Sequence, residues 1–142
     1  MTPVHWRRAT ERDAPALSLL GGATFLASFA HDHPGDALVA HARNAHSEAY
    51  YTAALRDPDQ VVIIGETALA APVGYALLMP ADVPVPAEPG DYELKRIYLL
   101  GPWQGDGNGD ALLTLAMDAA RERGMKRLLL AVYPQNERAR RF

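Results

Sequence analysis

The chain has 142 residues, enough for one domain with a real core and too few for two ordinary ones. Its balance of 49% hydrophobic and 22% charged residues is that of a folded protein, and the absence of cysteine excludes a disulfide scaffold, a thiolate zinc site and a cysteine nucleophile. The net charge of −3 combines −8 over residues 1–120 (7 Lys/Arg, 15 Asp/Glu) with +5 over residues 121–142 (7 Lys/Arg, 2 Asp/Glu), which makes nucleic acid a poor partner and leaves the basic end either solvated or facing an anion.

Val4 to Ala9 predicts a first strand, and Thr10 stands where a helix N-cap belongs. Leu17, Leu20, Thr24, Phe25 and Phe29 recur at helical spacing, so about 13–30 reads as a helix, weakened or bent at Gly21-Gly22. His31 to Gly35 is a turn, and Asp36 to Leu55 is helical in two pieces with Ser47 as an internal cap. Val61 to Glu66 and Val73 to Met79 read as an antiparallel strand pair. The proline-rich stretch 80–90 is an extended loop, and Tyr92 to Leu100 is the next strand. Gly107 to Arg123 is an amphipathic helix closed by Gly124, Arg127 to Val132 is a strand, and Asn136 starts a last helix. The expected fold is α/β (α+β): a mixed, mostly antiparallel central sheet flanked by helices, in the order β-α-α-β-β-β-α-β-α. It forms one domain over 1–142. A strand–helix–strand crossover makes the strands at 92–100 and 127–132 parallel. No apolar run approaches 18 residues and the N-terminus lacks a signal-peptide pattern, so the expectation is a cytoplasmic protein with no membrane partner.

The stretch from Trp103 to Leu112 joins a strand to a helix and carries glycines at 105, 107 and 109. Glycines allow a sharp turn and close backbone approach, and the following helix aims unpaired N–H groups and its positive dipole end at the same point. That arrangement suits a phosphate, although glycines also simply make turns. The P-loop needs Gly-Lys-Ser/Thr where this chain has Gly109-Asp110-Ala111. The dinucleotide fingerprint needs glycine where Asp110 stands, and it belongs at a first strand. Asp106, Asn108 and Asp110 open like a calcium loop, but Ala111 and Met117 stand where that loop needs Gly and Glu.

Gln104-Gly-Asp-Gly107-Asn-Gly109 resembles the Gln/Arg-x-x-Gly-x-Gly/Ala signature of the GCN5-related N-acetyltransferases. The strand Glu93 to Leu100 is similar to that family's central strand, and Asn136-x-x-Ala139-x-x-Phe142 to its next signature segment. The resemblance covers essentially the whole chain. Phe25, Phe29, the proline-rich loop and Glu93-Leu-x-Arg96-Ile-Tyr98 look like a bacterial branch that acetylates polyamines. The resemblance implies the acyl-CoA N-acyltransferase fold and transfer of acetyl from acetyl-CoA to a primary amine. It implies that the strand backbone at Ile97, Tyr98 and Leu99 pairs with the pantetheine arm. The loop Gln104, Gly105, Asp106, Gly107, Asn108, Gly109 and Asp110 then holds the pyrophosphate, with Asn136 and Arg138 also on the coenzyme. Phe25, Phe29 and Tyr92 are the expected acceptor contacts.

A lysine-like amine has a pKa near 10.4, so a base or water relay is needed, and Glu93 is the candidate. Its alternative role is an ion pair with Lys95 or Arg96. Tyr98 can line the acceptor pocket or pack. His31, His33, His41 and His46 lack a paired ligand pattern and read as polar surface or acceptor lining rather than a metal site. The expected partner is a small-molecule amine, with a homodimer as an open option. Two departures from the family stand out. Asp106 and Asp110 are acidic where it carries Lys or Arg, and the chain stops at Phe142, before the Tyr and the last strands that the family has. These favour a truncated or degenerate copy and keep open a non-catalytic CoA-binding module.

Overall fold

The computed structural model describes residues 3–81, 88 and 90–130. The expected helix at Asn136, with Arg138, lies outside the described residues, as does the end of the strand at 127–132.

β1 (His5–Arg8) leads into a 3-10 turn (Glu11–Asp13) and then α1 (Ala14–Phe29). The reason for the late helix start is local. The Thr10 N–H donates to the Asp13 carboxylate at 2.7 Å, so the cap closes on a single tight turn. Asp13 also receives Arg7 at 2.7 and 2.8 Å, and Arg7 reaches Glu66 at 3.1 Å, which fastens β1 to its neighbour. α1 runs unbroken through Gly21-Gly22.

The second helical stretch divides into α2 (Gly35–Ala45) and α3 (Glu48–Arg56). Ser47 caps α3, its hydroxyl accepting from the Tyr50 N–H at 3.0 Å. β2 (Val61–Glu66), β3 (Pro72–Pro80) and β4 (Asp91–Leu99) follow. After a 3-10 turn (Gly101–Trp103) come α4 (Asn108–Glu122) and β5 (Arg127–Leu129). α4 ends in a Schellman motif: Gly124, at φ +74°, donates to the Arg121 carbonyl, and Met125 donates to that of Ala120.

The five strands lie in the order β1-β2-β3-β4-β5, antiparallel except for the parallel β4–β5 pair. This is the mixed sheet expected from the sequence. α4 packs on one face with Val61, Ile63, Ala76, Leu78, Tyr92 and Leu94. α1 and α3 cover the other face with Val62, Ile64, Tyr75 and Leu77. Strand alternation sends odd and even positions of β2 to opposite cores, which is why its whole run is apolar.

β4 breaks the alternation. Leu77 pairs with Arg96 and Leu78 with Leu94, so Lys95 is a bulged residue with no partner on β3. The bulge places Glu93, Arg96 and Tyr98 toward the α1–α3 side, while Tyr92, Leu94 and Ile97 belong to the α4 side. Without it, Glu93 and Arg96 would point to opposite faces.

Candidate functional site

Two features at the end of β4 are open. The first is its edge. β5 pairs with β4 only at Asp91↔Arg127, Tyr92↔Leu128 and Glu93↔Leu129. From Leu94 to Leu99, which includes Ile97, Tyr98 and Leu99, the β5-side edge has no strand partner among the described residues. An unpaired strand edge accepts another extended, amide-bearing chain.

The second is the loop that follows. The Gln104 side chain donates to the Leu99 carbonyl at 2.8 Å, and Asn108 donates to the Trp103 carbonyl at 2.9 Å, so both amides brace the loop. Gly105 and Gly107 sit at φ +97° and +79°, a region open to glycine and strained for other residues, and a Cβ on either would meet nothing within 4 Å. Gly107 is the N-cap of α4. The backbone N–H groups from Gly105 to Asp110 donate to no described residue. They lie at the N-terminus of a helix of 15 residues, where the dipole adds to their effect. Trp103 Nε1 and Gln104 Oε1 are buried without a partner among the described residues. Asp106 and Asp110 are exposed at this loop, where their charge opposes an anion.

Glu93 occupies the last rung of the β4–β5 pairing and is 3% exposed. The ion-pair alternative is met only loosely, with Lys95 Nζ at 4.0 Å from the carboxylate. Asp91, two residues earlier, is locked by Arg127 at 2.5 and 2.7 Å. That hydrogen-bonded guanidinium holds the carboxyl down at about 2.

Beyond Glu93 on the same face lies a cluster of rings. Phe25 stacks near Phe29 (centroids 5.2 Å), His41 (4.5 Å) and His46 (5.4 Å), and Phe29 meets His33 edge-on. The structure thus groups the two phenylalanines singled out in the sequence with three of the histidines, His33, His41 and His46. Among the described residues no group of three His, Asp or Glu could hold a metal ion. Tyr98 packs toward Tyr75 on this face (5.9 Å).

Tyr92 is the correction. It is 1% exposed in the α4-side core, donates to the Asp59 carbonyl and lies under Arg123. As the neighbour of Glu93 on a strand it must face the opposite way, so it is scaffold and not acceptor lining.

The sequence reading missed a buried polar network. Arg96 Nη1 donates to the Tyr51 hydroxyl (2.8 Å) and the Ala45 carbonyl (2.9 Å), and its guanidinium lies over the Tyr50 ring at 4.5 Å. Tyr51 donates to Tyr75 at 3.1 Å and is hydrogen-bonded to His46 Nδ1 at 2.8 Å. Gly21 makes room for it: a Cβ there would collide with the Tyr51 hydroxyl and His46 Nδ1. Burial, then the Arg96 charge and His41, push His46 down to about 4, so it is neutral at pH 7. Burial raises Tyr51 above its usual value. An arginine inside an apolar strand was the available signal, and it needed the α2–α3 elbow to acquire meaning.

Comparison with known proteins gives these features a context. Residues 24–142 match the family described as Acetyltransferase (GNAT) family. An uncharacterized N-acetyltransferase of Mycobacterium tuberculosis is 32% identical over 96 residues, 68% of this chain; the match covers 57% of that protein. The chain therefore spans little more than half the length of the curated relatives it matches. The crystal structure of the PaiA N-acetyltransferase from Thermoplasma acidophilum, in complex with coenzyme A, superposes with a TM-score of 0.84 at 18% identity, covering 99% of this chain and 86% of that one. A ribosomal-protein-alanine N-acetyltransferase from Brucella melitensis does so at 0.68 and 22%, covering 98% and 87%. Matched by that family model over residues 24–142, the chain belongs to the GNAT family of acetyltransferases.

Proposed function

We propose that this chain binds acetyl-CoA and transfers its acetyl group to a primary amine. The observation that carries the reading is the run of unpartnered backbone N–H groups from Gly105 to Asp110 at the start of α4, beside the unpaired edge of β4. The loop suits a pyrophosphate, since the donors are backbone groups fixed by the fold and reorganise little on binding. Ile97, Tyr98 and Leu99 suit the pantetheine amides by strand addition. The orphaned Trp103 Nε1 and Gln104 Oε1 fit a site whose polar atoms find partners on a ligand. The Thermoplasma neighbour, similar in fold, is described with coenzyme A. Asn136 and Arg138 are proposed as further coenzyme contacts.

The thioester is already activated, so the protein need only position it and manage protons. Glu93 is the proposed base: it stands on the last described rung of the β4–β5 pairing, on the α1–α3 side that is read as the acceptor face. It takes the ammonium proton, directly or through a water, before the amine nitrogen attacks the carbonyl carbon. Phe25 and Phe29 offer apolar rings for the body of the acceptor. A polyamine, a peptide N-terminus and an antibiotic amine all meet that description.

Thiol release from acetyl-CoA with a panel of amines, beside calorimetric titration of coenzyme A, tests the proposal. Binding with turnover supports it. Binding without turnover for any amine supports the second reading, a non-catalytic CoA-binding module, which the exposed Asp106 and Asp110 favour. Absence of binding defeats both.

A further inference from the structure

The ring-lined face has a cation in its wall. Arg96 has spent one nitrogen, Nη1, on the Ala45 carbonyl and the Tyr51 hydroxyl, with His46 Nδ1 also 3.3 Å away. Nε and Nη2 donate to no described residue, and no carboxylate of the described residues lies within 4.0 Å of the guanidinium. Neither atom is sealed away: among the described residues the buried, unpartnered polar side-chain atoms are Trp103 Nε1 and Gln104 Oε1. The guanidinium is therefore held rigidly from one side and left available on the other.

The available edge has a defined geometry. Nε–H and Nη2–H of an arginine point the same way and match the two oxygens of a carboxylate. This protein uses that edge elsewhere: Arg127 holds Asp91 with Nε at 2.7 Å and Nη2 at 2.5 Å. Arg96 presents the same fork, without a partner for it among the described residues. A half-buried guanidinium without a counter-charge is costly to maintain, and the Tyr50 face and Tyr51 hydroxyl offset that cost only in part.

Part of the acidity of residues 1–120 is already paired within the chain. Glu11, Asp13, Glu66, Asp91 and Asp118 each lie within ion-pair distance of an arginine. Asp32, next to the rings, sits between His31 and His33 at 3.4 and 2.5 Å. A molecule of several positive charges would meet the Arg96 guanidinium with that part of the compensating charge already committed.

Resting on the acetyl-transfer reading above, we propose that Arg96 is an anion contact of the acceptor site, so that the amine acetylated beside Glu93 belongs to a molecule that also carries a carboxylate, as an amino acid does. Counting the bulge, Glu93 and Arg96 are about two strand steps, roughly 7 Å, apart along one face. Base and anion contact thus address two ends of one small zwitterion, while Phe25 and Phe29 take its apolar part.

The test uses pairs differing by one carboxylate: phenylalanine and phenethylamine, β-alanine and ethylamine, ornithine and putrescine. Thiol release is measured with each at fixed acetyl-CoA, for the native chain, Arg96→Gln and Arg96→Lys, with thermal melts of all three. In at least one pair the carboxylate member is expected to show about tenfold higher kcat/KM, expressed through KM. Arg96→Gln should erase that preference, lowering kcat/KM of the carboxylate member about tenfold more than that of the simple amine, and Arg96→Lys should keep part of it, having charge without the fork. Equal or better turnover of the decarboxylated member in every pair overturns the proposal, and so does an Arg96→Gln loss that is the same for both members. The native chain decides even if the variants fail to fold. Turnover of both series alike leaves acetyl transfer standing and defeats only the carboxylate contact; no turnover of any amine defeats both.

Discussion

The two faces of β4 were built for different tasks. On the α4 side Tyr92, Leu94 and Ile97 meet Leu112, Ala116 and Ala119 in a mainly aliphatic contact, closed by the Tyr92 hydroxyl on Asp59. On the α1–α3 side the same strand offers Glu93, Arg96 and Tyr98 to rings and imidazoles. A single bulged residue, Lys95, separates the two patterns. One face is apolar but for the hydrogen-bonded Tyr92 hydroxyl; the other carries a carboxylate and a guanidinium. The dry face gives the strand its rigidity, and the other uses that rigidity to hold the carboxylate and guanidinium proposed to meet the acceptor.

Substitutions on the polar face should act on rate, and those on the dry face on stability. The largest expected effect is that of Glu93→Gln. It should lower kcat for any acetylated amine by about 10²–10⁴-fold, with coenzyme A affinity unchanged by calorimetry. A variant within twofold of the native rate would remove Glu93 from the mechanism. Leu112→Ala, at a fully buried position in the α4 core, should cost about 2–5 kcal/mol in denaturant unfolding and leave the KM of the surviving folded protein alone.

The polar face should also betray itself by pH. His46 is held down at about 4 against an ordinary 6.5, so in the folded protein it is neutral where the unfolded chain takes up a proton. Its contribution is full above about 6.5 and lost as pH falls toward 4, on the order of 3 kcal/mol over that window. The difference in stability between the native chain and His46→Asn, followed by urea unfolding from pH 7.5 to 4.5, should shrink across it. A constant difference would contradict the burial argument. Asp13, held below its usual value by Arg7, titrates lower still and cancels in the comparison.

The smallest effects concern the loop, which belongs to neither face. Gly107→Ala should weaken coenzyme A binding by about tenfold, because φ +79° costs an alanine about 1–2 kcal/mol and shifts the N–H groups. Replacing both Asp106 and Asp110 with Lys should tighten binding by about tenfold or less, more at low salt. Calorimetry at two salt concentrations reads both, and no change in either would place the anion elsewhere.

Much of this was legible in the chain itself. Strand runs such as Val61–Glu66, the Ser47 cap, the Gly124 stop and the glycine loop before α4 are local signals, because capping, left-handed φ and side-chain periodicity are properties of a few consecutive residues. Their order was enough to anticipate a mixed sheet with a parallel final pair. What tertiary structure alone decided was which way β4 faces. The bulge at Lys95 arises from pairing with β3, and it reverses the facing of every residue after it, moving Arg96 from the side of Tyr92 to the side of Glu93. The Arg96–Tyr51–His46 network likewise joins residues 45 to 50 positions apart. Gly21, a helix weakness in the sequence, has its reason in Tyr51 and His46 packed against it. Local geometry is written in neighbouring residues; the charge and shape of a site come from groups brought together across the chain.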